Sequence, residues 1–109
     1  MTFFSDDCLV TDRHGATHRG PDEVRANYKK LIGTVDRRFH VWCNVVVRFS
    51  DDLQEAWRMS YFYAYLEADG AAPEVVGGPL VDHMVKQGGD WRIRERSVTV
   101  DLNHAVNSA

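Results

Sequence analysis

Two neighbouring segments decide the fold of this chain: RFHVWCNVVVRF (residues 38 to 49) and LQEAWRMSYFYAYLEA (residues 53 to 68). The first is rich in β-branched and aromatic residues, which favour β-strands. The second alternates large aromatic or apolar residues with a less aromatic set, at Trp57, Met59, Tyr61, Tyr63 and Tyr65. This period of two predicts a strand with one aromatic face. Because SDD (50 to 52) separates the segments as a turn, we expect antiparallel pairing.

A helix is predicted before these strands, over GPDEVRANYKKLIG (20 to 33). Pro21 suits a first helical turn and Gly33 ends the segment. Further upstream, CLVTD (8 to 12) is short and apolar enough to add one strand to the sheet.

Two more strands are predicted downstream, LVDHMVKQ (80 to 87) and WRIRERSVTVDL (91 to 102). DGAAPEVVGGP (69 to 79) has the glycines and prolines of an irregular loop, and a turn at 88 to 90 joins the two strands. We therefore expect one α+β domain over residues 1–109, with a helix on a curved antiparallel sheet and a flexible tail at 102–109. The concavity between helix and sheet is the expected ligand site.

The composition is that of an ordinary globular protein, with 44% hydrophobic and 27% charged residues in 109. No apolar run approaches the roughly 20 residues of a membrane span, and MTFFSDD lacks the features of a secretory signal, so we expect a cytoplasmic protein. A net charge of −3 without a basic stripe makes nucleic acid an unexpected partner. Cys8 and Cys43 lie in apolar segments and are expected to be structural thiols, with a disulfide or a nucleophile as the alternatives.

The order and spacing of several segments resemble a known family. FSDDCLVTDRHGATHRGPDEVRANY (4 to 28), a histidine-containing strand and LVDHMVKQGGDWRIRERSVTVD (80 to 101) together resemble the SnoaL-like members of the nuclear transport factor 2-like superfamily. The resemblance covers residues 3 to 101. It implies the cone-shaped α+β fold of ketosteroid isomerase, scytalone dehydratase and polyketide cyclases, with the helix on the concave side of the sheet.

Three positions are similar to functional residues of ketosteroid isomerases. The resemblance implies a general base at Asp12 in DDCLVTDRHG, an oxyanion-hole acid at Asp82 in LVDHM and a hydrogen-bonding tyrosine at Tyr28. In those enzymes the apolar surroundings keep the oxyanion-hole aspartate protonated, so that it donates a hydrogen bond. Family members normally begin with one or two further helices, and we expect this chain to lack them. His40 resembles one of the two catalytic histidines of scytalone dehydratase, whereas the position of the other falls near Tyr65.

The residues around Asp82 leave its role open. Leu80 and Met84 on the same strand face are apolar, which suits a cavity wall and makes Met84 a candidate ligand contact. Alternatively, Asp82 and Lys86 share a solvated face, or Asp82 pairs with an arginine of the next strand, such as Arg92 or Arg94. Asp12, taken by itself, is a common type of turn residue.

His40 shares one strand face with Trp42 and Asn44, which predicts a cavity wall or a subunit interface. The opposite face is apolar and is expected to be core, at Phe39, Val41, Cys43, Val45 and Val47. A single histidine on such a face is also a common structural hydrogen bonder. The tyrosine face of residues 57 to 65 predicts core or dimer interface, with Tyr63 at the cavity mouth as a further ligand contact.

These observations predict a small, largely apolar, ring-containing ligand, with Asp82, Asp12 and His40 as candidate catalytic residues. If the protein is an enzyme, we expect cofactor-independent acid–base chemistry: isomerisation, dehydration, cyclisation or epoxide opening. The alternative is a noncatalytic binding or assembly module. No metal is predicted, because HGATH on a loop is a weak metal motif. The resemblance implies a homodimer formed through the sheet.

Overall fold

The computed structural model describes residues 3–33, 37–68 and 70–105. One helix and seven strands follow each other in the order β1 Phe4–Thr11, β2 Thr17–Arg19, α1 Gly20–Gly33, β3 Arg37–Phe49, β4 Glu55–Glu67, β5 Glu74–Gln87, β6 Asp90–Val98 and β7 Leu102–Ala105. The helix predicted over residues 20 to 33 is confirmed as α1. Within the described residues, no helix is long and apolar enough to cross a membrane.

The strands form one sheet in the order β2-β1-β6-β5-β4-β3, and β7 pairs with β5 beside the end of β6. All described pairings are antiparallel except that of β1 with β6. Register shifts interrupt β3 between Cys43 and Val46 and the β5–β6 pair between His83 and Met84. Such bulges bend and twist strands, and the result is the expected α+β fold with a curved sheet and one helix.

Strand register divides β3, β4 and β5 into two faces. The inner face faces the helix and carries His40, Phe62, Ala64, Leu80 and Asp82. The outer face carries mainly large apolar side chains, at Phe39, Val41, Val46, Trp57, Met59, Tyr63 and Val81. Two buried clusters hold the fold together. One joins β1, α1 and β6 through Phe4, Cys8, Val10, Val24 and Ile93. The other lies on the inner face and consists of Phe62, Ala64, Val76 and Leu80.

The apolar face of β3 was expected to be core, and that prediction is wrong. Phe39 remains 66% exposed and Val41 is also exposed, because α1 covers the opposite face of the sheet. Val45 and Val47 are exposed as well, at and after the bulge. Cys43 is a free, partly buried thiol, and Cys8 is free and buried.

The chain from 69 to 79 was predicted to be an irregular loop, but β5 already begins at Glu74. Its glycines serve close packing: a Cβ atom on Gly78 would lie 1.8 Å from the carbonyl oxygen of Thr99. The segment expected to be a flexible tail begins with β7, which pairs with residues 74 to 77 of β5. Residues 106–109 lie outside the described residues.

Candidate functional site

A cavity of about 650 Å³ lies between α1, the inner face of the sheet and the turn that follows β1. Its wall is mostly apolar, with side chains such as Ile32, Trp42, Phe62, Ala64, Leu80 and Val98. The rings of Trp42 and Phe62 lie 6.2 Å apart in a tilted arrangement. A cavity of this size and character is typical of small-molecule sites.

His40 places an imidazole on this wall from the inner face of β3. His40 remains exposed, but partial desolvation lowers the pKa of its imidazole below the usual 6.5, and the positive charge of Arg38 lowers it further. The imidazole is therefore neutral at pH 7 and has a nitrogen that can accept a proton.

Tyr28 of α1 and Arg96 of β6 form a polar part of the same wall. The Arg96 guanidinium donates a hydrogen bond from Nη1 to the Tyr28 hydroxyl oxygen at 3.3 Å. Because the hydroxyl accepts this bond, its own proton remains available to a ligand.

Asp82 lies on the inner face of β5 and is fully buried. Its carboxylate binds Arg96 in a bidentate ion pair, with Nε to Oδ1 at 2.8 Å and Nη2 to Oδ2 at 3.0 Å. Arg58 of β4 adds a contact from Nη2 to Oδ2 at 2.5 Å. Asp82 is not among the described residues that line the cavity. Asp82 therefore lies behind Arg96, which lines the cavity, and does not itself line it.

This arrangement agrees with the alternative of an ion pair between Asp82 and an arginine of the next strand. The arginine is Arg96, whereas Arg92 and Arg94 were the examples given. The cause is the irregularity between His83 and Met84, which places Asp82 opposite Arg96. The carboxylate accepts hydrogen bonds from two guanidinium groups and does not line the cavity, whereas the oxyanion-hole role implied by the resemblance requires an acid that donates a hydrogen bond to the ligand. The structure therefore gives that role of Asp82 no support.

Asp12 lines the cavity just after the end of β1, and its described polar contacts all lie within the β1–β2 hairpin. Its Oδ1 atom accepts hydrogen bonds from the backbone N–H groups of His14 at 2.9 Å and Ala16 at 3.1 Å. Its Oδ2 atom lies 3.0 Å from Nε2 of His18. Burial raises the pKa of Asp12, but hydrogen bonds from His18, His14 and Ala16 outweigh burial and lower it overall. These contacts make Asp12 an anchor of the turn and a weak base.

The other predicted ligand contacts are distributed over different places. Trp42 lines the cavity as expected from its strand face. Asn44 lies at the β3 bulge with φ of 54°, and Tyr63 lies on the outer face; neither is among the described lining residues. Met84 is on the inner face but lines a second concavity. Among the described residues, no group of three His, Cys, Asp or Glu side chains could hold a metal ion.

Sequence reasoning missed Arg38 and Arg96 as cavity residues. Arg38 could have been found, because it shares strand parity with His40 and Trp42. Arg96 could not, because a one-residue irregularity in the β5–β6 ladder decides which arginine reaches the inner face.

Several solved structures share this fold. A scytalone dehydratase-like protein from Novosphingobium aromaticivorans DSM 12444 is 18% identical with a TM-score of 0.85, over 99% of this chain and 72% of that chain. The hexachlorocyclohexane dehydrochlorinase LinA-type3 from Novosphingobium barchaimii LL02 is 11% identical with a TM-score of 0.88, over 99% and 75%. Aln2 from a Streptomyces species is 21% identical with a TM-score of 0.79, over 90% and 71%. At such identities these structures show a common fold alone.

No curated protein sequence matches the chain. The family model described as a SnoaL-like domain, in contrast, matches residues 2–97. This match spans most of the 109 residues and agrees with the cone-shaped fold of the structural neighbours. The chain therefore belongs to the SnoaL-like domain family of the nuclear transport factor 2-like superfamily.

Proposed function

We propose that this protein is a cytoplasmic, cofactor-independent acid–base enzyme that catalyses an elimination on a small, largely apolar, ring-containing molecule. The observation that carries the proposal is His40, an imidazole with a lowered pKa on the wall of a mostly apolar cavity. A general base needs this combination, since it must be unprotonated at the working pH and reach a bound substrate.

The cavity supports a ring-containing ligand by its size and by its walls. Its volume of about 650 Å³ lies in the middle of the range for small-molecule sites. Trp42 and Phe62 offer aromatic surfaces against which a ring can pack. The polar groups at the wall are few, so they would orient the ligand while apolar contact supplies the binding energy.

The proposed reaction uses His40 and Tyr28. The His40 imidazole takes a proton from a ring carbon, the C–H electron pair forms a double bond, and the bond from the adjacent carbon to the leaving group breaks. Tyr28 donates its hydroxyl proton or a hydrogen bond to the departing group, while Arg96 holds the Tyr28 oxygen from behind. A hydroxyl leaving group would depart as water after it takes the proton from Tyr28. A chlorine substituent would depart as the chloride ion. Two neighbours named for a dehydratase and a dehydrochlorinase support this class of reaction.

Asp82 and Asp12 take supporting roles in this proposal. Asp82 fixes the Arg96 guanidinium in two directions, and Arg96 in turn fixes the Tyr28 hydroxyl. Asp12 holds the turn that closes one side of the cavity. Asp82 is therefore a positioning residue, and its effect on the reaction passes through Arg96 and Tyr28.

Two substrates test this proposal, scytalone and hexachlorocyclohexane. Turnover is measured as loss of water from scytalone and as release of chloride from hexachlorocyclohexane. We expect turnover of at least one of them. His40→Gln should lower kcat/KM by about 10²- to 10⁴-fold, as expected for loss of a general base, and Tyr28→Phe should lower kcat. The matched control is His83→Gln, because His83 lies on the outer face. Binding of both probes without turnover would favour the alternative, a noncatalytic binding module.

We also infer that two copies of the chain associate through the outer face. Its exposed residues Phe39, Val41, Val46, Trp57, Met59, Tyr63 and Val81 are neighbours in the sheet register. Each of them is between 40% and 66% exposed in a single copy, and a contiguous exposed apolar patch is typical of an interaction surface. An apolar patch is complementary to its own two-fold copy. Light scattering should therefore give twice the monomer mass of 12.4 kDa.

A further inference from the structure

A second concavity of about 320 Å³ adjoins the Asp82 ion-pair cluster. Tyr28 and Arg96 line both this concavity and the larger cavity, whereas Arg58 lines only the second. The remaining wall is apolar and partly aromatic, with Phe3, Phe4, Met84, Trp91 and Ile93. The volume is at the lower end of small-molecule sites and suits a ligand with one ring.

The ion-pair cluster beside this concavity contains two guanidinium groups and one carboxylate, and its formal charge is therefore +1. The two arginines are not equally satisfied. Arg96 has a side chain only 15% exposed, binds Asp82 through two nitrogens and donates a third hydrogen bond to Tyr28. Arg58 is 34% exposed, and within the described residues its side chain makes one ion pair, through Nη2 to Asp82.

No other acidic side chain in the described structure balances Arg58. The nearby strand β6 contributes Arg94 and Arg92, whose carboxylate partners are Asp7 and Asp90. Because the two guanidinium groups share the single carboxylate of Asp82, one positive charge of the cluster is left unbalanced, and this favours an anion in the concavity. A single net positive charge matches a monoanion, and the planar fork of a guanidinium matches a carboxylate.

We propose that the second concavity binds a small aryl or alkyl carboxylate. The carboxylate accepts hydrogen bonds from the nitrogens of Arg58 that do not contact Asp82, and the apolar body packs against Phe4, Met84 and Trp91. This site goes beyond the proposed function, since it needs neither His40 nor turnover of any substrate.

The probes for this site are benzoate and its neutral isostere benzamide, measured by titration calorimetry on the full chain. We expect benzoate to bind at least tenfold more tightly than benzamide. In NMR spectra of the wild-type protein, benzoate should shift the Trp91 indole N–H resonance more than those of Trp42 and Trp57. Equal affinity of the two probes, or a larger shift at Trp42, would overturn the proposal.

Variants separate the two concavities. Arg58→Gln should abolish the preference for benzoate, and Arg58→Lys should retain part of it because the charge remains. Ala64→Phe fills the larger cavity, where Ala64 lies on the wall, and should leave benzoate affinity unchanged. If Ala64→Phe removes benzoate binding while Arg58→Gln keeps it, the anion occupies the larger cavity and the second site is wrong. The shift of the Trp91 resonance in the wild-type protein shows which concavity benzoate occupies, even if Arg58→Gln does not fold.

Discussion

On strand β4 the small side chains are buried and several large apolar side chains are exposed, the reverse of the usual relation between side-chain size, hydrophobicity and burial. Ala56, Ser60 and Ala64 on the inner face are small and buried, whereas Trp57, Met59 and Tyr63 on the outer face are large and exposed. Met59 is 55% exposed and Tyr63 is 42% exposed. Of these small residues, Ala64 lines the cavity and leaves space for it beneath α1. Large apolar residues on the outer face remain uncovered in a single copy, which is typical of an interaction surface.

The same contrast applies to charge. The inner face buries the carboxylate of Asp82 between Arg58 and Arg96. Ion pairs elsewhere in the described structure are more open to solvent, such as that of Arg92 with Asp90 at 3.6 Å. Burial rather than the number of ion pairs therefore decides which one matters for stability.

The largest expected effect is the loss of the buried carboxylate. Asp82→Ala leaves two partly desolvated guanidinium groups without their counter-ion and should lower the free energy of unfolding by about 3–5 kcal/mol. Asp90→Ala is the matched control, because it also removes an aspartate paired with an arginine, and should cost less than about 1 kcal/mol. Urea unfolding monitored by circular dichroism gives both values. Similar costs for the two variants would mean that Asp82 is solvated.

The next prediction compares adjacent residues on opposite faces. Phe62→Ala removes a buried ring from the inner face and should cost about 3 kcal/mol at any protein concentration. Tyr63→Ala removes an exposed ring and should cost less than about 1 kcal/mol in dilute protein. In concentrated protein its cost should rise, because association stabilises the wild-type chain by mass action. Urea unfolding at two concentrations, with light scattering, measures this difference. A concentration-independent cost of Tyr63→Ala would argue against self-association through the outer face.

Sequence periodicity was sufficient to predict the helix over residues 20 to 33 and the long strands β3 and β4, because each of these elements repeats one pattern over many residues. It misassigned residues 74 to 79, where glycines permit close backbone approach in β5 and do not form a turn. It also assigned the wrong face of β3 to the core, because a period of two separates the faces of a strand without stating which one the helix covers.

The candidate site was predictable in part for the same reason. His40 and Trp42 share a regular stretch of β3, and both line the cavity. Asn44 lies at a bulge, where strand parity no longer applies. Asp82 and Arg96 meet only because of a second irregularity, in the β5–β6 ladder. Local pattern thus predicts side-chain direction up to the first bulge, and tertiary register decides it afterwards.

The smallest expected effect is a pH dependence of stability caused by His40. Its pKa in the folded protein lies below 6.5, first because of desolvation and then because of the positive charge of Arg38, whereas the unfolded chain has the ordinary value. Between these two pKa values the unfolded state binds more protons than the folded state. The free energy of unfolding therefore decreases as pH falls from about 6.5 through that interval, and the contribution of His40 is constant above it.

His40→Gln removes this contribution, because glutamine does not titrate. Urea unfolding from pH 5 to 8 measures the free energy of unfolding of the wild type relative to His40→Gln. This difference should be constant above pH 6.5. Below pH 6.5 the wild type should become less stable relative to the variant. Other groups titrate equally in both proteins, so their effects cancel in the difference. A slope of the opposite sign would mean that the folded protein favours the imidazolium ion. Such a His40 would hold a proton at neutral pH and could not act as the base of an elimination, even if the cavity binds the substrate.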